Sequence, residues 1–398
     1  MVPNGWEVTT LGEHVAISSG YSPSKYVLAE SGSFPFVKVE DMNNCAKYQS
    51  ISRTYTETNG SPIGKGAVIF PKRGAAIMNN KVRITDVEMY LDTNMMALTP
   101  KKSVFSEYLY YTLIKEELHK IADTSTIPQI NNKHILPYRF KLPPLPEQRK
   151  IAQILSTWDR GIATTEKLID TSKQQKKALM QQLLTGKKRL IDPETGKAFE
   201  REWKTIKIKD VFKAKTTRAK DSNYTTYSVT KNGIVSQENY FNKSVASQDT
   251  SNYKVIEFGD FVMSGLNFWM GSVDIYLNKT KGIISPAYKT FSVSNDVDLK
   301  FMYQFVRSDK FNQILVDSSI VGASVVRRNF NSDVFFNWGI GLPSMREQQK
   351  ISSVLTAADN EIELLEAKLA HLKQEKKALM QQLLTGKRRV KVAETEVA

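Results

Sequence analysis

LPPLPEQRKI at Leu142–Ile151 returns as LPSMREQQKI at Leu342–Ile351, and KKALMQQLLTGK at Lys176–Lys187 returns unaltered as Lys376–Lys387. Both pairs are 200 residues apart. A weaker echo opens each half: Trp6, Leu11, Glu13 and Val15 in WEVTTLGEHV match Trp203, Ile208, Asp210 and Phe212 in WKTIKIKDVF. Solenoids repeat roughly every 20–50 residues. This much longer period instead indicates a duplicated domain followed by a duplicated helix, an internal pseudo-twofold repeat.

The closely repeated parts read as helices. From Glu147 to Leu184 there is no proline and one internal glycine, Gly161, before Thr185-Gly186, where glycine can take the left-handed cap. Ile151, Leu155, Trp158, Ile162, Thr165, Ile169, Ser172, Lys176, Leu179 and Leu183 alternate in steps of four and three. The second copy runs Ile351, Leu355, Ala358, Ile362, Leu365, Leu369, Leu372, Lys376, Leu379 and Leu383. Seven of ten and nine of ten are apolar, which is a coiled-coil seam. A helix of 38 residues is about 57 Å long. Pro143, Pro144 and Pro146 fix an extended lead-in, as Pro343 does in the second copy. Matching seams from one duplication are expected to pack antiparallel, with a variable domain at each end. Lys176 and Lys376 are expected to snorkel at a frayed seam end; the alternative is a polar residue that sets register.

Between the helices the halves diverge. Residues 1–141 and about 200–341 mix short β-rich runs (Phe36–Val39, Ala67–Phe70, Val255–Ile256, Asp260–Met263) with turns and brief helices at Ser106–Ile121 and Leu299–Ile314. Each reads as one α/β (α+β) domain of about 140 residues, a usual size. The expected division is therefore a first variable domain over 1–141, a helix over 142–186, a linker with the second domain over 187–341, and a second helix with a basic tail over 342–398. Lys187–Lys220 holds 12 basic residues against 5 acidic, and by itself would be only a solvated charge run.

Composition narrows the function. Fifty-six Lys and Arg against 41 Asp and Glu leave a formal charge of +15 on 398 residues, so a polyanion is the natural partner. A hydrophobic fraction of 41% supports real cores and excludes wholesale disorder. No apolar run approaches the roughly 20 residues needed to cross a bilayer, and MVPNGWEVTT carries no secretion signal; a cytoplasmic, membrane-free protein is expected. One cysteine, Cys45, and four histidines (His14, His119, His134, His371) exclude a disulfide framework and a Cys-rich zinc module. No phosphate-binding loop is present: Gly60–Gly66 (GSPIGKG) has the wrong spacing. Neither G-x-G-x-x-G after a strand nor H-E-x-x-H occurs, and Asp192, Glu194 and Lys197 are too loosely spaced for a nuclease set. Pro143-Pro144 is not the Asn/Asp-Pro-Pro-aromatic loop expected of amino-methyltransferases. The chain is expected to bind and not to catalyse, with no metal or cofactor of its own.

Two dissimilar domains, each followed by a similar long helix opening on L-P-x-x-x-E-Q-x-K-I and ending in LLTGK, resemble the specificity subunit of Type I restriction–modification systems. The resemblance runs from Trp6 to Gly386. Within the first domain GAVIFPKRGAAI (Gly66–Ile77) resembles the family's G-D-I-x-x-x-R-x-G segment; in the second, GDFVMSGLNF (Gly259–Phe268) aligns on its glycine and IISPAY (Ile283–Tyr288) is similar to another family stretch. Lys72-Arg73 then fall on Gly265-Leu266, so the second domain must use other residues. The resemblance implies two target-recognition domains reading a bipartite, asymmetric double-stranded DNA site. It implies two modification subunits, which hold S-adenosylmethionine and methylate adenine, and two restriction subunits, which use ATP and magnesium.

Base edges are read by Arg at guanine and by Asn or Gln at adenine, while Lys and Arg neutralise phosphates. The DNA-binding candidates are Lys72, Arg73, Asn79, Asn80, Lys81 and Arg83 in a basic, amide-rich cluster, and Arg327, Arg328 and Asn329 in the second domain. Gln129 and Asn131 stand 200 residues before Asn329 and Asn331, which adds both to the first set. Each is weighed against service as an ordinary exposed loop residue. Trp269 and Phe268 are expected in the core. Two rivals stay open: a coiled-coil DNA-binding regulator or scaffold, which would read a palindrome as two identical halves, and a nuclease or methyltransferase with an unfamiliar active site.

Overall fold

The computed structural model of the chain describes residues 2–58, 60–123, 127–220, 224–241, 249–324 and 327–392, with backbone alone for 322–324 and 327. Two compact units form, one from residues 1–166 with 367–398 and one from 167–366. Each combines a variable domain with half of each long helix. The helices span Leu145–Leu183 and Met345–Leu384. The first begins two residues before the expected Glu147 because Pro146 lies in its first turn, where proline has no useful N–H to lose.

Every seam position is buried or half-buried. In the first unit Lys373 pairs with Glu166 at 2.7 Å and Lys376 with Asp159. In the second, Lys173 pairs with Glu366 at 2.6 Å and Lys176 with Asp359 at 2.5 Å. Partner numbers fall on one helix as they rise on the other, so the pairing is antiparallel. Lys176 and Lys376 do not snorkel. Their side chains are only 15% and 17% exposed and each ends on a carboxylate, the geometry of a polar pair held across the helices. The Asp159 carboxylate also accepts from the Tyr111 hydroxyl at 2.5 Å, and that of Asp359 from Gln304 Nε2 at 2.7 Å.

The repeated motif has a mechanical reading. Glu147 and Glu347 are buried and ion-pair with Arg389 and Arg189, which follow the two LLTGK endings. Gln148 Oε1 accepts from the Phe105 amide at 2.7 Å while its Nε2 donates to the Pro143 carbonyl at 2.8 Å. Gln348 does the same with Asp298 and Pro343, at 2.9 and 3.0 Å. Each Glu-Gln dipeptide thus ties a helix start to its neighbours. Gly186 and Gly386 take φ of +70° and +72° as left-handed caps. A Cβ on Gly386 would fall 2.4 Å from Pro3, and one on Gly186 3.4 Å from Trp203. Asp192 and Glu194, the loose nuclease-like pair, both bind Arg346, at 2.9 and 2.8 Å.

Both variable domains repeat one sheet plan. In the first, Val15–Ser19, Met95–Pro100, Val68–Pro71, Arg83–Thr85 and Tyr48–Gln49 form a five-stranded sheet in that order. In the second, Phe212–Ala214, Lys289–Val293, Phe261–Met263 and Val273–Ile275 repeat its first four places. A second sheet accompanies each, of three strands in the first unit and four in the second, and each contains one parallel pair: Phe34–Val37 with Tyr90–Leu91, and Thr225–Thr230 with Gly282–Ile284. The Trp-led stretches become a strand against the lead-in to a long helix, Glu7–Thr10 with Arg139–Leu142 and Lys204–Lys207 with Gly339–Leu342. Each expected brief helix is in fact two: Ser106–Glu116 and Leu118–Ile121, broken at Glu117 with φ +62°, then Leu299–Val306 and Asp309–Asp317, where Ser308 caps the second by accepting from Phe311 N. No helix among the described residues is long and apolar enough to cross a membrane.

Candidate nucleic-acid interface

Gly66 and Gly259 both turn at positive φ, +87° and +91°, and each launches a strand, Val68–Pro71 or Phe261–Met263. A 3-10 turn follows at Ala75–Ile77 and at Phe268–Met270, displaced by the same interval as the glycines. The glycine-based alignment therefore holds residue for residue: Lys72 and Arg73 occupy the places of Gly265 and Leu266.

In the first unit this loop is fastened to the chain before the long helix. Ile130 N donates to Lys72 O and Gly74 N to Pro128 O, both at 2.9 Å, with Arg73 bridged to Gln129. Lys72, Arg73, Gln129 and Asn131 are thereby brought together from segments far apart in sequence. Arg73 and Asn79 are exposed. Lys72 is half-buried, and burial pushes its ammonium below the ordinary lysine range, partly opposed by Asp92. Gln129 Nε2 donates to Asn131 Oδ1 at 3.1 Å, and Asn131 caps Asn132–Ile135 in a reciprocal box with His134.

Three members of the cluster have structural work. Asn80 sits at φ +48°, and its side chain donates to Ile114 O at 2.9 Å and accepts from Leu118 N at 3.0 Å. Arg83 donates to the carbonyls of Cys45, Val82 and Met42 at 2.9, 2.7 and 2.8 Å. Lys81 reaches Asn43 Oδ1 at 2.6 Å. The polar groups of Asn80 and Arg83 thus already face backbone partners, the scaffold alternative to base reading.

In the second unit the corresponding segment is a hairpin, Ser319–Ser324 with Arg327–Phe330. Arg327 opens its second strand, and its side chain lies outside the described residues. The Arg328 guanidinium stacks 4.5 Å from the Trp269 ring centre and donates through Nη1 to Ser319 Oγ at 3.1 Å. Asn329 is exposed opposite Ile320. Phe268 is core, as expected, whereas Trp269 is half-buried and serves as a platform for Arg328. Asn331 caps Ser332–Asn337, the role Asn131 has in the first unit.

Sequence reasoning missed a further basic group. Arg218 is bridged to Lys254, and Lys289 lies with its Nζ 5.2 Å over the Phe330 ring of the hairpin. Lys254 is pushed below the ordinary lysine range by burial and then by the like charges of Arg218 and Lys289, and its ammonium donates to the Tyr288 carbonyl. These residues come from three separate strands or their flanks, so no local motif announces them.

Comparison with known proteins places this geometry. The family described as "Type I restriction modification DNA specificity domain" matches residues 3–174 and again 200–374. The chain is 27% identical over 426 residues to the Type I restriction enzyme MjaVIII specificity subunit of Methanocaldococcus jannaschii, covering 98% of this chain and 94% of that one. Its fold is similar to the crystal structure of the Type I restriction-modification S subunit from M. genitalium, at 14% identity and a TM-score of 0.56 over 96% of this chain and 98% of that one. A solved chain described in terms of complex assembly and conformational transition of the type I R-M system gives a TM-score of 0.61, again at 14% identity with 96% and 98% covered.

Proposed function

The chain belongs to the Type I restriction-modification DNA specificity family, with one family domain in each half, and from that premise we propose that it reads a bipartite, asymmetric duplex, one half-site per variable domain. The observation that carries this reading is a shared frame with unshared side chains. The same glycine, strand and turn bring Arg73 to one loop and Leu266 to the other, and the positions 200 residues apart hold Gln129 in one unit and Asn329 in the other. A palindrome-reading regulator needs two equal surfaces, so the divergence favours an asymmetric site.

In this reading Lys72, Arg73, Asn79, Gln129, Arg328 and Asn329 face the DNA, with Arg218, Lys254 and Lys289 taking phosphates. The chain itself is non-catalytic and holds no cofactor. Two modification subunits supply S-adenosylmethionine and the methyl transfer, and two restriction subunits supply ATP- and magnesium-dependent cleavage. The duplicated helical frame supports two equivalent docking places. Sequencing methylated adenines in cells with and without this chain tests the proposal. One asymmetric two-part motif should vanish with it. Methylation or cleavage of DNA by the rigorously purified chain alone, given S-adenosylmethionine or magnesium, would sink it.

A further inference from the structure

Among the described leucines, Leu266 at 66% exposed is second only to Leu364 at 72%. Its loop is built to hold it there. The Ser264 hydroxyl accepts from the amides of Leu266 and Asn267 at 3.3 and 3.1 Å. Gly265 runs so close to the neighbouring chain that a Cβ would lie 2.2 Å from Ala287 O, so the backbone beneath Leu266 is pinned on one side. Met263, just before the loop, is paired with Lys289. Lys289 in turn lies over Phe330 of the hairpin that carries Arg328. An apolar tip is thus mounted on a loop whose preceding strand pairs with the strand that Lys289 opens, in the place where the first unit carries Arg73.

Duplex DNA answers that combination of chemistry. Phosphates satisfy the flanking cations, and the thymine 5-methyl is the apolar mark in the major groove. Resting on the proposed DNA-reading function, we infer that Leu266 is a specificity-determining residue that recognises a thymine methyl group in the half-site read by the second unit. Arg73, at the equivalent place, reads a polar edge or phosphate in the other half-site. One frame position therefore switches between apolar and charged readout by a single side chain.

The test uses the full chain copurified with its modification partners and duplexes carrying the motif that it directs. Each thymidine of the second half-site is replaced in turn by deoxyuridine, which removes only the methyl group. One replacement should weaken wild-type binding roughly five- to tenfold, the scale of a single mismatched position. Leu266→Ala should bind both duplexes equally, near the weaker value. Leu266→Arg should lose the thymine preference and steepen the salt dependence by about one phosphate contact. If no deoxyuridine weakens the wild type, or the loss persists in Leu266→Ala, the inference falls and the two-part reading stands. If Leu266→Ala instead loses its modification partners while keeping the same base preference, the residue is a protein contact and the inference is likewise overturned. Absence of any sequence preference in the wild type removes the underlying function as well.

Discussion

Arg73 and Arg83 lie on the same stretch of chain and do unlike things. Arg83→Ala should cost about 2–3 kcal/mol of stability, because carbonyls of three residues lose a charged donor; denaturant unfolding measures it. Arg73→Ala should leave that midpoint in place, weaken binding of one half-site, and lower the salt slope by about one. A carboxylate in the second unit gives a pH prediction. Hydrogen bonding from Lys215, then from Lys281, holds Glu257 down to about 2. Its stabilisation is present above the ordinary glutamate range and is lost as pH falls from about 4.5 towards 2. The urea midpoints of wild type and Glu257→Gln should therefore converge over that window. Asp260 works with the opposite sign, since burial raises it against the Lys215 hydrogen bond. At this scale the sequence was readable where a residue's role is local, as with Phe268 in the core. It was not readable for Asn80 or Arg83, whose partners at Ile114, Leu118 and Cys45 come from elsewhere in the fold.

The long helices were legible to within about two residues at their ends because a seam is a periodic signal, and periodicity survives without knowledge of neighbours. Their cross-pairs were not, because Asp159 with Lys376 and Asp359 with Lys176 become partners only once antiparallel register is fixed. Asp159→Lys should destabilise the chain by about 2–3 kcal/mol, less than at a fully buried pair. Adding Lys376→Asp should recover most of that loss in a double-mutant cycle. Additive losses would mean that the pair does not set register. The short helices were read as continuous runs because helix propensity does not see a left-handed residue such as Glu117 or a cap such as Ser308. The loop alignment on Gly66 and Gly259 succeeded because positive φ there favours glycine.

For the whole molecule, unit composition is the governing fact: residues 167–366 are contiguous, while the other unit joins 1–166 to 367–398. Deleting 367–398 should leave Glu147 and Asp159 without Arg389 and Lys376, and strip Met380, Leu383 and Leu384 from the core around Trp6, Ile151 and Leu155. Limited proteolysis should then cut within 1–166 first and spare 167–366; equal susceptibility would contradict the division. Time on the ribosome gives this partition another meaning. A nascent chain emerges from its amino end, yet the first residues made belong to the unit that is completed last. At roughly 5–20 residues per second, about 10–40 seconds separate the appearance of Asp159 from that of Lys376. The later-born unit has all its residues once residue 366 is made, about 0.5–2 seconds before Lys376 at the same rate, so the earlier-born one waits incomplete for nearly the whole of synthesis and the order of completion reverses the order of birth.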